Sequence, residues 1–175
     1  MIDENRRVSI DIHYEISQHY FKEATYLQNW KFREWLSEMV DEEILYWMPI
    51  EENRMVKDRR PEPTPDDAAV YNDRYKHLKQ RVEQFYTGQV WQEDPRSKIR
   101  YYVSNIEAFH TDVENEFAIR CNVLVLRHRR ETQVYQHSFL KEDLLRKTGT
   151  GFKVVSRKLT IDARSVQDKN LFFFM

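Results

Sequence analysis

TGQVWQEDPRSKIRYYVSN, residues 87 to 105, divides the chain into two kinds of sequence. Gly88 ends a helical pattern, since a residue without Cβ can take the left-handed conformation that stops a helix. Trp91, Asp94 and Pro95 then form a short aromatic-acidic loop, and from about Lys98 the alternation of a long strand begins. Upstream, apolar residues recur in steps of three and four. Downstream, they recur in steps of two.

Working back from Gly88, Tyr71, Tyr75, Leu78, Val82 and Phe85 predict a helix over about 72–87. Before it, residues 51–67 carry Pro61, Pro63 and Pro65 at alternate positions. That spacing blocks a regular helix and favours an extended arm. Residues 43–48 are rich in Ile, Leu, Tyr and Trp and predict a strand ended by Pro49. Ile12, Ile16, Tyr20, Ala24 and Leu27 predict a first helix. Phe32, Trp35, Leu36 and Met39 predict a second over about 31–40, with Asn29 as its N-cap. The two are expected to pack as an antiparallel pair.

Working forward, strands are predicted over 98–110, 116–130, 132–145 and 152–161, with turns at Thr111-Asp112 and at 148–151. Phe117, Ile119, Cys121, Val123 and Val125 share one face of the second of these. Helices first and antiparallel strands last make an α+β domain, read as one unit over residues 1–175. The expected shape is a curved, mostly antiparallel sheet wrapped around the N-terminal helices and leaving a cone-shaped hollow.

The 29 acidic and 28 basic residues are interspersed, giving a net charge of −1. This offers no electrostatic case for nucleic acid or an anionic membrane. No run approaches the roughly 20 apolar residues that span a bilayer, and residues 1–13 lack a signal-peptide core. A cytoplasmic location is expected. The three glycines, Gly88, Gly149 and Gly151, are too few and too scattered for a phosphate-cradling loop.

Metal and nucleophile chemistry is poorly supplied. One cysteine, Cys121, cannot furnish the two that a Rieske cluster needs. His13, His19, His77, His110, His128 and His137 are scattered over different elements. Cys121 alternates with apolar residues and reads as a core thiol. A proton-transfer enzyme in the hollow would draw on Asp41, Glu43, His128 or His137, with Tyr101 or Tyr102. Arg100, Arg120 and Arg157 sit among apolar and aromatic strand residues, where arginine often marks an interface. Arg157 is placed on a face with Val155, Leu159 and Ile161. The tail from Asn170 to Met175, with Phe172, Phe173 and Phe174, is too apolar to leave in water. It should dock into this domain or into a neighbour.

The order and spacing of Trp91, Glu93, Asp94, Pro95, Ser97, Arg100, Val103, Ser104 and Asn105 resemble the small (beta) subunits of bacterial aromatic-ring-hydroxylating dioxygenases. The stretch 42–50, the segment His77–Val82 with Thr87-Gly88, the hairpin around Asp143–Lys158 and the tail are similar as well. Lys141-Glu142 departs from a Gly-Arg pair common in the family, a change expected to alter a subunit contact. Phe152 stands where tryptophan is usual.

The resemblance implies a cystatin-like or nuclear-transport-factor-like cone. It implies a chain without cofactors of its own, beside an alpha subunit that holds the Rieske 2Fe-2S cluster and the mononuclear iron. A three-plus-three hexamer with other beta subunits is implied, with electrons from NADH through a reductase, often with a ferredoxin. The complex adds dioxygen to an aromatic ring, giving a cis-dihydrodiol. Trp91, Asp94, Pro95, Arg100, Asn105, Arg120, Arg157, Phe172, Phe173 and Phe174 are then expected to fix the fold and its interfaces. Isomerases and dehydratases share the cone, so a free-standing pocket enzyme is the alternative, and a homo-oligomeric binding module a third reading.

Overall fold

A computed structural model describes residues 6–50, 54–163, 168, 171 and 173–175. Asn170 and Phe172 of the tail lie outside the described residues. Three helices, α1 (Ile10–Gln28), α2 (Phe32–Met39) and α3 (Tyr75–Gln84), accompany six strands. These are β1 (Val40–Pro49), β2 (Ala69–Arg74), β3 (Lys98–His110), β4 (Glu116–Arg129), β5 (Gln133–Thr148) and β6 (Gly151–Ile161). They form one open sheet in the order β2-β1-β6-β5-β4-β3. All neighbouring pairs are antiparallel except β1 with β6, which is parallel.

The sheet curls around α1. That helix contacts both β3 and β6, which stand three places apart in the sheet. Strands spaced about 4.8 Å apart would hold them roughly 14 Å apart if flat, so a single helix reaches both from a concave face. A bulge in β3 between Ser104 and Glu107 assists the bend. Asn105 sits there at φ 52°, a left-handed conformation that asparagine adopts more readily than most residues. The concave face holds Phe117, Ile119, Cys121, Val123 and Val125 of β4, all buried, in the alternation read from sequence.

Four local readings are corrected. Asn29 does not cap α2; it ends α1, and its side-chain amide donates to the Thr25 carbonyl (2.7 Å). The chain reverses at Trp30, φ 59°, with Lys31 N–H donating to Tyr26 O (2.9 Å) and Trp30 N–H to Leu27 O (3.2 Å). This is a Schellman closure without glycine. Residues 72–74 are not helical but end β2, because Leu45–Met48 offer a free edge that Tyr71–Arg74 pair with. The third helix stops at Gln84; Gly88, at φ 74°, turns the chain four residues later. Finally, β6 slips register where Leu144 pairs Ser156 and Leu145 pairs Val154. The bulge at Val155 puts Phe152 and Val154 inward before it and Arg157 and Leu159 inward after it. Val155 is therefore not on the buried Arg157 face, whereas Leu159 and Ile161 share it as read from sequence, Ile161 half-buried opposite Phe139.

Candidate functional site

The interior of the cone holds charge rather than a hole. Glu23 lies on the apolar stripe of α1, one turn from Tyr20 and Leu27, and is 1% exposed. Lys141 and Asp143 alternate with Phe139 and Leu145 on the inward face of β5. Arg157 faces them from β6, its partner strand, where it pairs with Asp143 in register. Its guanidinium grips Asp143 with two bonds, Nε to Oδ1 (2.9 Å) and Nη2 to Oδ2 (2.7 Å), and reaches Glu23 Oε1 through Nη1 (2.7 Å). Lys141 Nζ donates to Glu23 Oε2 (2.9 Å), Trp35 Nε1 to Glu23 Oε1 (3.0 Å) and the Tyr20 hydroxyl to Asp143 Oδ2 (2.8 Å).

Two cations thus meet two carboxylates, and the cluster is neutral as a whole. Burial alone would raise the Glu23 carboxyl, but Arg157 and Lys141 outweigh it and hold it far below the usual carboxylate range. Burial lowers His19, beside this cluster, to about 4, so it is neutral at pH 7. Burial pushes the Cys121 thiol up to about 12. That is a core thiol, not a nucleophile.

The tail closes the same space. Phe174 packs its ring on Phe32, Trp35 and Phe85, and Phe173 meets the His137 ring. Tyr46 donates to the Met175 backbone oxygen (2.7 Å) and accepts from its N–H (3.0 Å). Of the two destinations expected for this tail, Phe173, Phe174 and Met175 take the chain's own core.

A second buried cluster anchors the loop after α3. Trp91–Glu93 form one 3-10 turn, followed by a cis Asp94–Pro95 bond. Arg127, on the inward face of β4, pairs with Glu93 and with Asp168 (2.5 Å), and its Nε donates to Ser97 Oγ (3.2 Å). Ser97 Oγ in turn donates to Glu93 Oε2 (2.7 Å), and Arg129 Nη2 donates to the Gln92 carbonyl (2.6 Å). Sequence reasoning missed Arg127 and Arg129, although both continue the Phe117–Val125 alternation; it likewise missed Glu23.

The residues singled out from sequence are dispersed. Trp91 is 68% exposed, and Asp94, Pro95, Arg100 and Asn105 are exposed beside or near it in sequence. Arg120 is half-buried on the outer face of β4, its Nε donating to Glu107 (2.8 Å). Arg157 is in the core. Lys141, expected to bear on a subunit contact, instead points inward to Glu23; Glu142 faces outward near Lys158 (3.7 Å). The pocket-enzyme candidates do not converge. Asp41 and Glu43 pair with Arg146 (3.4 and 2.9 Å), His128 and Tyr102 are exposed, His137 meets Asp168 (3.2 Å), and the Tyr101 hydroxyl donates to the Phe174 carbonyl.

Among the described residues no three His, Cys, Asp or Glu side chains are grouped to hold a metal ion, and no helix is long and apolar enough to cross a membrane. The single cysteine cannot supply the two thiolates of a Rieske cluster.

The profile of the family described as "Ring hydroxylating beta subunit" matches residues 22–168. A chain of naphthalene 1,2-dioxygenase, solved with indole in the active site, superposes with a TM-score of 0.87 at 28% identity. That match covers 96% of this chain and 88% of that one. The beta subunit of benzoate 1,2-dioxygenase from Burkholderia mallei gives 0.68 at 18% identity, over 84% and 88% of the two chains. A cystatin-like protein of unknown function from Nostoc punctiforme shares the fold, with 0.57 at 13% identity over 89% and 95%.

Proposed function

Because the chain belongs to the ring-hydroxylating beta-subunit family, we propose that it is the non-catalytic, structural subunit of an aromatic-ring-hydroxylating dioxygenase, a single domain that works in the cytoplasm. The observation that carries this reading is the filled cone. The concave face that could cradle a small molecule is occupied by the Glu23–Lys141–Arg157–Asp143 cluster and by Phe173, Phe174 and Met175. Every charge in that cluster is held by a partner inside the same chain, so none of the four is left to move a proton to or from a substrate in the cone.

Chemistry then belongs to a larger partner carrying the Rieske cluster and the mononuclear iron, which supply electron transfer and dioxygen activation. Three copies of each chain form the assembly, and the reaction adds both oxygen atoms to an aromatic ring to give a cis-dihydrodiol. Electrons reach the large subunit from NADH through a reductase or ferredoxin.

The outer face of the sheet supports a docking role. Tyr102 pairs across strands with Leu124 there, and Arg100 with Leu126. Tyr102 is half exposed, and the exposed Trp91 lies in the loop anchored by Arg127. Aromatic and arginine side chains of this kind are enriched at subunit contacts.

The test is native mass spectrometry of this chain co-expressed with the large-subunit gene beside its own. A mass equal to three copies of each chain, with iron confined to the large one, supports the proposal. Stoichiometric iron in the isolated chain, or turnover by it alone, sinks it.

A further inference from the structure

Outside the packed cone, α1, the end of α2 and the β5–β6 turn enclose a groove of about 770 Å³. This lies within the size range of small-molecule sites. His19, Met39 and Phe152 line it and are each more than nine-tenths buried, and Tyr14 forms an exposed wall. The His19 ring meets Phe152 edge-on at 5.9 Å. Burial keeps His19 neutral near pH 7, and Lys147 Nζ, 5.6 Å over the Phe152 ring, is matched by Glu15, so the floor carries no net charge.

The rim is charged, and its charges are matched with one exception. Lys22 pairs with Glu38 (2.8 Å), and Glu15 pairs with Lys147 (2.8 Å). Lys153 Nζ donates to the Ser37 carbonyl (3.2 Å) and meets no carboxylate among the described residues. A floor of Phe152, Met39 and neutral His19 with one ammonium at its lip that meets no carboxylate among the described residues selects a ring bearing one anionic group. A neutral ring would leave the ammonium unmatched, and a dianion would bring its second charge toward Glu15 or Glu38.

We propose that this groove binds a small aromatic monocarboxylate, its ring against Phe152, Met39 and Tyr14 and its carboxylate against Lys153 Nζ. The site shares no residue with the surface proposed for the large subunit and does not depend on that reading.

The experiment is fluorine NMR of the full chain with 4-fluorobenzoate and, as the uncharged control, 4-fluorobenzyl alcohol. Line broadening should show 4-fluorobenzoate binding about fivefold more tightly, the scale of one solvated ion pair. Lys153→Met should remove that preference, Lys153→Arg should retain it, and Tyr14→Ala should weaken both probes. Absence of broadening at millimolar probe overturns the proposal. So does equal binding of the two probes, or a preference that survives Lys153→Met. Loss of 4-fluorobenzoate binding when the large subunit assembles would mark the groove as a subunit contact instead, and would overturn it too.

Discussion

Glu23 shows how much a single residue decides in this core. It accepts from Lys141, Arg157 and Trp35 at once. Glu23→Gln keeps the shape but strands two buried cations with one fewer carboxylate. Breaking a buried pair in this way costs about 3–5 kcal/mol, and urea denaturation should show a loss of that size. His19 acts on pH rather than on contacts. The unfolded chain binds a proton there near 6.5 and the folded chain only near 4. Between those values the unfolded state holds more protons, so acidification from pH 7 toward 4 destabilises the fold, at most by about 1.4 kcal/mol per unit. Glu23, whose folded value is depressed, adds its own loss below the ordinary carboxylate range. His19→Gln should flatten the stability profile between about pH 7 and 4 and leave the part below that; an unchanged profile would refute the assignment. None of this was legible in sequence. A glutamate on a helix stripe and a lysine on a strand look like solvated positions until the strands that face them are known.

At the level of elements, sequence alternation was a reliable guide along the meander of successive antiparallel strands from β3 to β5. The first residue of β3, the span of β4 and the β5–β6 turn follow from period-two patterning. It failed at β2, whose Tyr71 also fits the helical spacing of α3 and whose strand character comes from the edge of β1. It failed again at Val155, where a bulge exchanges the two faces of β6. The loop between α3 and β3 was legible as a motif but not as a mechanism: its hold on the sheet is Arg127, a cation on a face otherwise apolar from Phe117 to Val125. Arg127→Met removes the bonds to Glu93, Ser97 and Asp168 together. Hydrogen exchange should then speed up in residues 91–97, while amides in the centre of β4 and β5 stay protected. Uniform loss of protection over the sheet would show that Arg127 supports the whole fold rather than this loop.

At the scale of the molecule, an exposed tryptophan on an anchored loop has more to gain from a partner than from its own chain. Trp91→Ala should leave the melting temperature of the isolated subunit unchanged. It should weaken assembly with the large subunit by roughly 2 kcal/mol, the threshold for an interface hot spot, as read from the dissociation midpoint on dilution. A fall in thermal stability without loss of assembly would return Trp91 to the fold.

The lone parallel pairing in the sheet, β1 against β6, sets an order of events. β3 to β6 are successive neighbours and can zip together through short turns. β1 can pair locally with β2, but to join the rest of the sheet it must wait for β6, more than a hundred positions away, at the entropic cost of closing that long loop. The meander is therefore the natural nucleus, and α1, α2 and β1 dock onto it late. In stopped-flow folding, Val125→Ala in β4 should slow refolding, whereas Ile44→Ala in β1 should chiefly hasten unfolding. A chain built this way carries its charged core half-assembled through most of the folding reaction: Lys141, Asp143 and Arg157 are brought together by the meander before Glu23 arrives on its helix to complete the set.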